Sequence, residues 1–588
     1  LDNQNANYNS NQSVIDTSQL SNSNKYMSYR EAYLSVPLLL TMTSVDPLAA
    51  NQDAFLPDTA VSSAAYACGL KNWFGTMIHS LTLDYNGVTT IQQTPFCNMW
   101  NSFRLMTSMS WGDVHSQGDT IGFYPDNALS TTFNQGGAIV AECDDGAGTS
   151  NNTNKPTDGG RPVVAGFDAH YQRGRGNDGF IKRQMGINYD LEGLVSSSVR
   201  NAVVGVPVPY SGLLAGNACN QLWKTYISNK VNGAVAGAGT RGAVQWSIVS
   251  TIYLKDLHSF FSSIPLLKGA YMKATLNLNN CTTTYSVASA VVAVPPAPAT
   301  GPTYVAAGMS VANAVGGVNP VMLASTSTAN GASLCYPEPA AGAANIAMKV
   351  NVSVGATCLE NTMLSTSVAA GELSRSIYLY VPSYTFNPVY EQAYLSSPVK
   401  QIKYTDIYQY QVTGIAGNSG LVNNLITNGI ANIKSILVLP FYSATNSAST
   451  QLPSGMPVYQ SPFDPAGTGP TSPLALMTNF NVVVSGQNSI YNTQRYAFEQ
   501  FNNQLYGTNA VNGGQTSGLT SGLVDRLAFD TAYCYYYVDL SRMLPVEESV
   551  PKSIQIIGTN TNEKVMDYFV FVEYGVEISI DALTGVRV

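Results

Sequence analysis

AVQWSIVSTIYLKDLHSFFSSIPLLKGAYMKATLNLNN, residues 243–280, decides how the rest of the chain is read. Val244, Trp246, Ile248, Ile252 and Leu254 share one parity, the period of a pleated strand with one face buried. Leu254, Leu257, His258 and Phe261 then fall at the spacing of an amphipathic helical stripe. Pro265 and Gly269 punctuate, and Ala270, Met272, Ala274, Leu276 and Leu278 resume alternation. The stretch predicts strand, short helix, strand.

The same unit recurs near the C-terminus. Tyr536-Tyr537-Val538-Asp539-Leu540 ends a strand as Tyr253-Leu254-Lys255-Asp256-Leu257 does, and Ile554 and Ile556 restart one after Val550-Pro551. A second echo lies upstream of each copy. Met77–Tyr85 ends at the turn Asn86-Gly87, followed by Ile91, Trp100 and Phe103. Val482–Val484 ends at Ser485-Gly486, followed by Ile490, Phe498 and Phe501. Two echoes in the same order point to two homologous halves.

Outward from these units, Tyr29–Met42 reads as the first strand, and Ile377–Val381 closes the first half as Tyr568–Tyr574 closes the second. The second half opens at Ile402, with Ile402, Tyr404, Tyr408, Tyr410 and Val412 alternating, and Ile433–Leu439 follows as a strand. Residues 1–25 are Asn/Gln/Ser-rich with almost no apolar period, and read as an arm. Residues 281–372 are rich in Ala, Val, Gly, Pro and Ser and nearly uncharged; they read as an insertion with short strands of its own. Many short strands, polar loops and few helices indicate antiparallel β-sandwiches.

Composition bounds the function. The 588 residues are ample for two cores. Only 11% are charged, against roughly 25% for an average soluble domain. A surface so poor in charge suits burial against other subunits, because each buried charge costs desolvation. The net charge is −8, with no basic domain to neutralise phosphates. The eight cysteines form no CxxC pair and read as buried reduced thiols. No apolar run reaches the roughly 18 residues of a membrane span.

Motifs for chemistry are weak. His79, His115, His170 and His258 share no metal-ligand spacing, and His258, on an apolar stripe, reads as a core histidine. Asp144-Asp145-Gly146 lacks the alternating ligands of a calcium loop. Gly174–Gly179 spells GxGxxG without the flanking strand and apolar helix of a dinucleotide site. The cations around it, Arg173, Arg175, Lys182 and Arg183, suit acidic neighbours across a subunit interface, with contact to DNA as the less favoured reading. Glu547-Glu548 has no catalytic partner in sight. Tyr533 and Tyr535–Tyr537 form an aromatic run suited to core or interface packing, or to stacking on sugars or bases. No catalytic, cofactor-binding or metal residue is expected.

Several stretches carry a family resemblance. YLKDLHSFFSSIPLLKGAYMKATLNLNN (253–280) resembles the segment near the end of the first jelly roll in major capsid proteins of virophages and polinton-like viruses. VPSYTFNPVYEQAYLSSPVKQIKYTDIYQYQV (381–412) is similar to their bridge between rolls. FNVVVSGQNSIYNTQRYAFEQF (480–501) and FVFVEYGVEISIDALTGV (569–586) are similar to their second-half motifs. The resemblance implies an all-β fold: two tandem eight-stranded antiparallel jelly-roll sandwiches with long insertions and a few short helices. It implies an arm over 1–26, a first roll over 27–390 carrying an outer tower at about 281–372, and a second roll over 391–588. It further implies a structural, non-enzymatic protein of the virion, assembled in the host cell. Homotrimers would form pseudo-hexagonal capsomers tiling an icosahedral shell around double-stranded DNA. Partners would be further copies, penton proteins and minor or cement proteins, without sequence-specific nucleic-acid binding. A tandem-sandwich adhesin or glycan-binding surface protein is the alternative, and a polysaccharide hydrolase on a sandwich is a third.

Overall fold

A computed structural model describes residues 11–44, 68–125, 184–185, 224–231, 241–290, 303–312, 321–323, 326–328, 331–333, 345–356, 376–443, 477–490, 496–511, 522–541, 549–562 and 565–588, less 71, 93 and 532. Outside these lie the GxGxxG loop and its cations, Asp144-Asp145-Gly146, His170 and Glu547-Glu548.

Strands dominate. The first half holds β1 (Gln12–Asp16), β2 (Tyr26–Met27), β3 (Tyr33–Ser44), β4 (Cys68–Leu70), β5 (Ile78–Tyr85), β6 (Val88–Ile91), β7 (Gln184–Met185), β8 (Lys224–Val231) and β9 (Arg241–Tyr253). It continues with β10 (Met272–Leu278), β11 (Cys281–Ala290), β12 (Thr303–Ala312), β13 (Val321–Leu323), β14 (Thr326–Thr328), β15 (Gly331–Ser333), β16 (Asn345–Gly355), β17 (Tyr378–Tyr380) and β18 (Ser383–Tyr384). The second half holds β19 (Val399–Ile415), β20 (Gly420–Ile430), β21 (Ile433–Tyr442), β22 (Met477–Val484), β23 (Gln487–Asn488), β24 (Tyr536–Asp539), β25 (Lys552–Asn560) and β26 (Met566–Asp581).

The second half is a jelly roll. Its two sheets run β19-β26-β21-β24 and β20-β25-β22-β23. Counting its eight strands along the chain, these orders are 1-8-3-6 and 2-7-4-5, a double Greek key. The first half repeats it: β1-β10-β5-β6 matches 2-7-4-5, and β17-β3-β9 matches 8-3-6. A counterpart of β19 is not among the described residues of the first half. In each roll, residues from both sheets are buried against each other, among them Leu34, Leu81, Ile252 and Leu276 in the first and Ile436, Val482, Ile556 and Phe571 in the second.

The echoes of the sequence have a backbone cause. Asn86-Gly87 (φ 49° and 79°) and Ser485-Gly486 (φ 50° and 83°) both turn with two left-handed residues. That is the two-residue hairpin turn whose twist matches its strands. Each turn is pinned alike to the adjacent strand: Asn86 N–H donates to the Tyr271 carbonyl at 3.0 Å and Ser485 N–H to the Ser553 carbonyl at 2.9 Å.

Three expectations change. Gln12–Asp16, read as part of an arm, is a sheet strand paired with Asn277–Lys273 of β10. Its buried residues are Ser13 and Ile15, so only one apolar side chain marked it. The helix expected through His258 breaks there into α4 (Leu254–Leu257) and α5 (Ser259–Ser263), with His258 extended between them at φ −155°. Finally, β11, β12 and β16 are not short strands of a separate insertion. They have 10 or 11 residues, and β16 pairs with Leu39–Ser44 of β3, so they continue the large sheet of the first roll.

Candidate assembly surfaces

Helix α2 (Cys97–Ser108) follows β6 by five residues and is buried along most of its length, which its sequence CNMWNSFRLMTS permits by carrying a single charge. It belongs to the first roll by chain order, yet its aromatic face packs on the second. The Phe103 ring lies 4.9 Å from Tyr535 and 5.5 Å from Tyr537, and Trp100 lies 6.2 Å from Phe571. Phe96, just before the helix, meets Phe569 edge-on at 5.0 Å. These are the offset and edge-to-face geometries that aromatic pairs favour. The Tyr533–Tyr537 run is thereby buried core, not a sugar platform. The two rolls share one contiguous hydrophobic core. Arg104, the one charge on α2, is pulled down by burial and held up by the charges of Glu573 in the second roll and Asp256 in the first.

A row of polar contacts bolts the same seam. Ser259 Oγ donates to the Thr405 carbonyl at 2.6 Å, Thr94 Oγ1 to the Ile407 carbonyl at 2.7 Å, and Tyr404 OH to the Thr90 carbonyl at 2.7 Å. His258 sits at the centre, 6% exposed. Its Nδ1 accepts the Phe260 N–H at 3.1 Å and so caps α5, which leaves the ring proton on Nε2, 3.4 Å from Asp406 Oδ1. Asp406 also accepts from Ile407 N–H at 2.8 Å and Gln92 N–H at 3.4 Å. Ser259, His258 and Asp406 are neighbours, but the serine hydroxyl is spent on a backbone carbonyl and no nucleophile is activated. His258 is the core histidine that the sequence suggested.

The C-terminal hook ties the halves again. Gly585 accepts Tyr85 OH at 2.7 Å and Asn86 Nδ2 at 2.6 Å through its carbonyl, and Lys268 N–H donates to the Ala582 carbonyl at 3.1 Å. The bridge between rolls runs through α6 (Pro388–Leu395), started by the Asn387 side chain on Val389 N–H and by Pro388 in its first turn. No residue of α6 is buried. Glu391 holds it down, 2.6 Å from Lys268 Nζ and 3.0 Å from Tyr26 OH, with Lys268 4.4 Å above the Tyr26 ring.

The outward surface presents apolar side chains singly and in patches: Val389 and Tyr390 on α6, Leu421 and Leu425 on β20, and Leu583, Val586 and Val588 in the hook. Among the described residues no group of three or more His, Cys, Asp or Glu lies together, and no helix is long and apolar enough to cross a membrane. Cys97 and Cys534 are buried, and their thiols donate to the backbone carbonyls of Ile78 at 3.7 Å and Phe529 at 3.1 Å. Sequence reasoning missed the seam and the hook. The signal was present in the low charge of residues 96–103, but pairing them with residues 535–571 takes the fold.

No family model and no curated protein matches the chain. Among solved structures it is similar to a chain of the Sputnik virophage (10% identity over 99% of this chain and 86% of that one, TM-score 0.43). It is also similar to the mavirus major capsid protein (8% identity, 98% and 86%, TM-score 0.40) and to the Faustovirus major capsid protein (9%, 96% and 87%, TM-score 0.33).

Proposed function

We propose that this chain is a major capsid protein whose homotrimers form pseudo-hexagonal capsomers and tile an icosahedral shell around a double-stranded DNA genome. The observation that carries this is the duplication: two jelly rolls of one strand order, fused through a continuous core into a single body. Three such bodies around an axis present six similar flanks, the symmetry of a hexagonal tile. A shell needs tiles that do not hinge, and the aromatic seam with its polar bolts supplies that stiffness. It also needs many weak lateral contacts that add up only in the lattice. A chain with only 11% charged residues gives them at low desolvation cost.

In this reading the first roll extends to about residue 390 and the second from 391, and residues 281–372 form the outer tower. Penton and minor or cement proteins complete the shell. Light scattering of the purified chain should give a trimer of roughly three times 62.6 kDa, and negative-stain microscopy should show hexagonal tiles or shells. A stable monomer at micromolar concentration contradicts the proposal.

A further inference from the structure

β20 is an edge built for pairing. Sheet edges offer rows of free N–H and C=O groups, and proteins blunt them by shortness, charge or proline. Most edges here whose side chains are described follow that rule. β1, β6, β23 and β24 have five, four, two and four residues. β19 is long, with 17 residues, but carries Lys400, Lys403 and Asp406, and the Lys403 side chain is 75% exposed. β20 departs from it. It has 11 residues, GLVNNLITNGI, with no charge and no proline. Leu421 and Leu425 stand 74% and 55% exposed on its outer face, with Asn423 exposed between them. Its equivalent in the first roll, β1, is less than half as long and ends in Asp16.

The pattern on this edge is self-complementary. Residues Gly420–Leu425 pair regularly with Asn560–Gln555 of β25, and irregularity begins only after Leu425. Two copies of that regular stretch, laid antiparallel about a twofold axis at Asn423, place Leu421 against Leu425 of the mate at both ends. Asn423 faces Asn423 at the centre. Apolar cross-strand pairs at both ends and an amide pair between them are the contacts that stabilise a sheet. No like charges oppose each other.

We propose that β20 pairs with β20 of a second copy of this chain, joining two four-stranded sheets into one of eight strands. This rests on the capsid reading, in which it is a contact between neighbouring capsomers and not within one.

The test is disulfide trapping in the full chain. Cα atoms of directly opposed antiparallel residues lie roughly 4.5–5.5 Å apart, within the roughly 4.4–6.8 Å that a disulfide spans. Asn423→Cys should therefore give, on mild oxidation, a reducible dimer band that the parent chain lacks. Leu421→Cys alone should not, because the two copies of residue 421 then sit four positions apart, about 14 Å along the strand. The double variant Leu421→Lys/Leu425→Lys should keep the trimer in light scattering and lose association beyond it. Absence of the Asn423→Cys band from a protein that is trimeric and forms tiles overturns the pairing and leaves the capsid reading standing. Equal trapping at 421 and 423 overturns the register. A monomer that forms no tiles sinks the capsid reading instead.

Discussion

Phe103 tests the fused-tile argument most directly. Its ring is 3% exposed, hangs from a helix of the first roll and contacts Tyr535 and Tyr537 of the second. Truncating a buried phenylalanine to alanine costs about 3–5 kcal/mol, and each lost aromatic pair is worth about 0.5–1.5 kcal/mol beyond area. About 4 kcal/mol is a large share of a typical stability of about 5–15 kcal/mol. The loss should fall on both rolls, because the void opens between them. Chemical denaturation followed by intrinsic fluorescence should show one cooperative transition for the parent chain. Phe103→Ala should move that transition as a whole to lower denaturant. If the parent already unfolds in two separate steps, or if Phe103→Ala shifts one step and leaves the other in place, the rolls are independent and the stiffness argument fails. A cycle of Phe103→Leu with Tyr535→Leu measures the coupling across the seam, expected at about 1 kcal/mol.

His79, 5% exposed and edge-on to Phe96 at 4.8 Å, is held neutral by burial, which pushes its pKa down to about 4. The unfolded chain takes up that proton near the ordinary value, about 6.5. Stability is therefore complete above about pH 6.5 and falls by about 3 kcal/mol as pH drops toward about 4, and His79→Gln should flatten that part of a Tm-against-pH curve. His258→Phe removes the α5 cap and a partner of buried Asp406; an equilibrium unfolding series should show a loss of about 2 kcal/mol, and no loss would mean that the bolt is idle. Gly585 has φ +67°, and a Cβ there would stand 2.5 Å from the Ala270 nitrogen. Gly585→Ala should thus lift the hook off the first roll, lower the Tm, and speed protease trimming of residues 582–588.

The repeated unit is legible in the chain, because alternation and hairpin turns are local. Met272, Leu276 and Leu278 face inward as their parity demands, and Asn86-Gly87 and Ser485-Gly486 turn as their residue types demand. Legible too is how little charge the chain carries. That β1 is a strand emerges from the folded chain alone, since its stability comes from pairing with a segment more than 250 residues away that its own polar side chains do not announce. The same holds where β16 joins β3, where α2 crosses to the second roll, and where His258 meets Asp406. Each is a contact between residues far apart in the chain, with no local period to reveal it, and each exists because burying the joint surface costs less than solvating it.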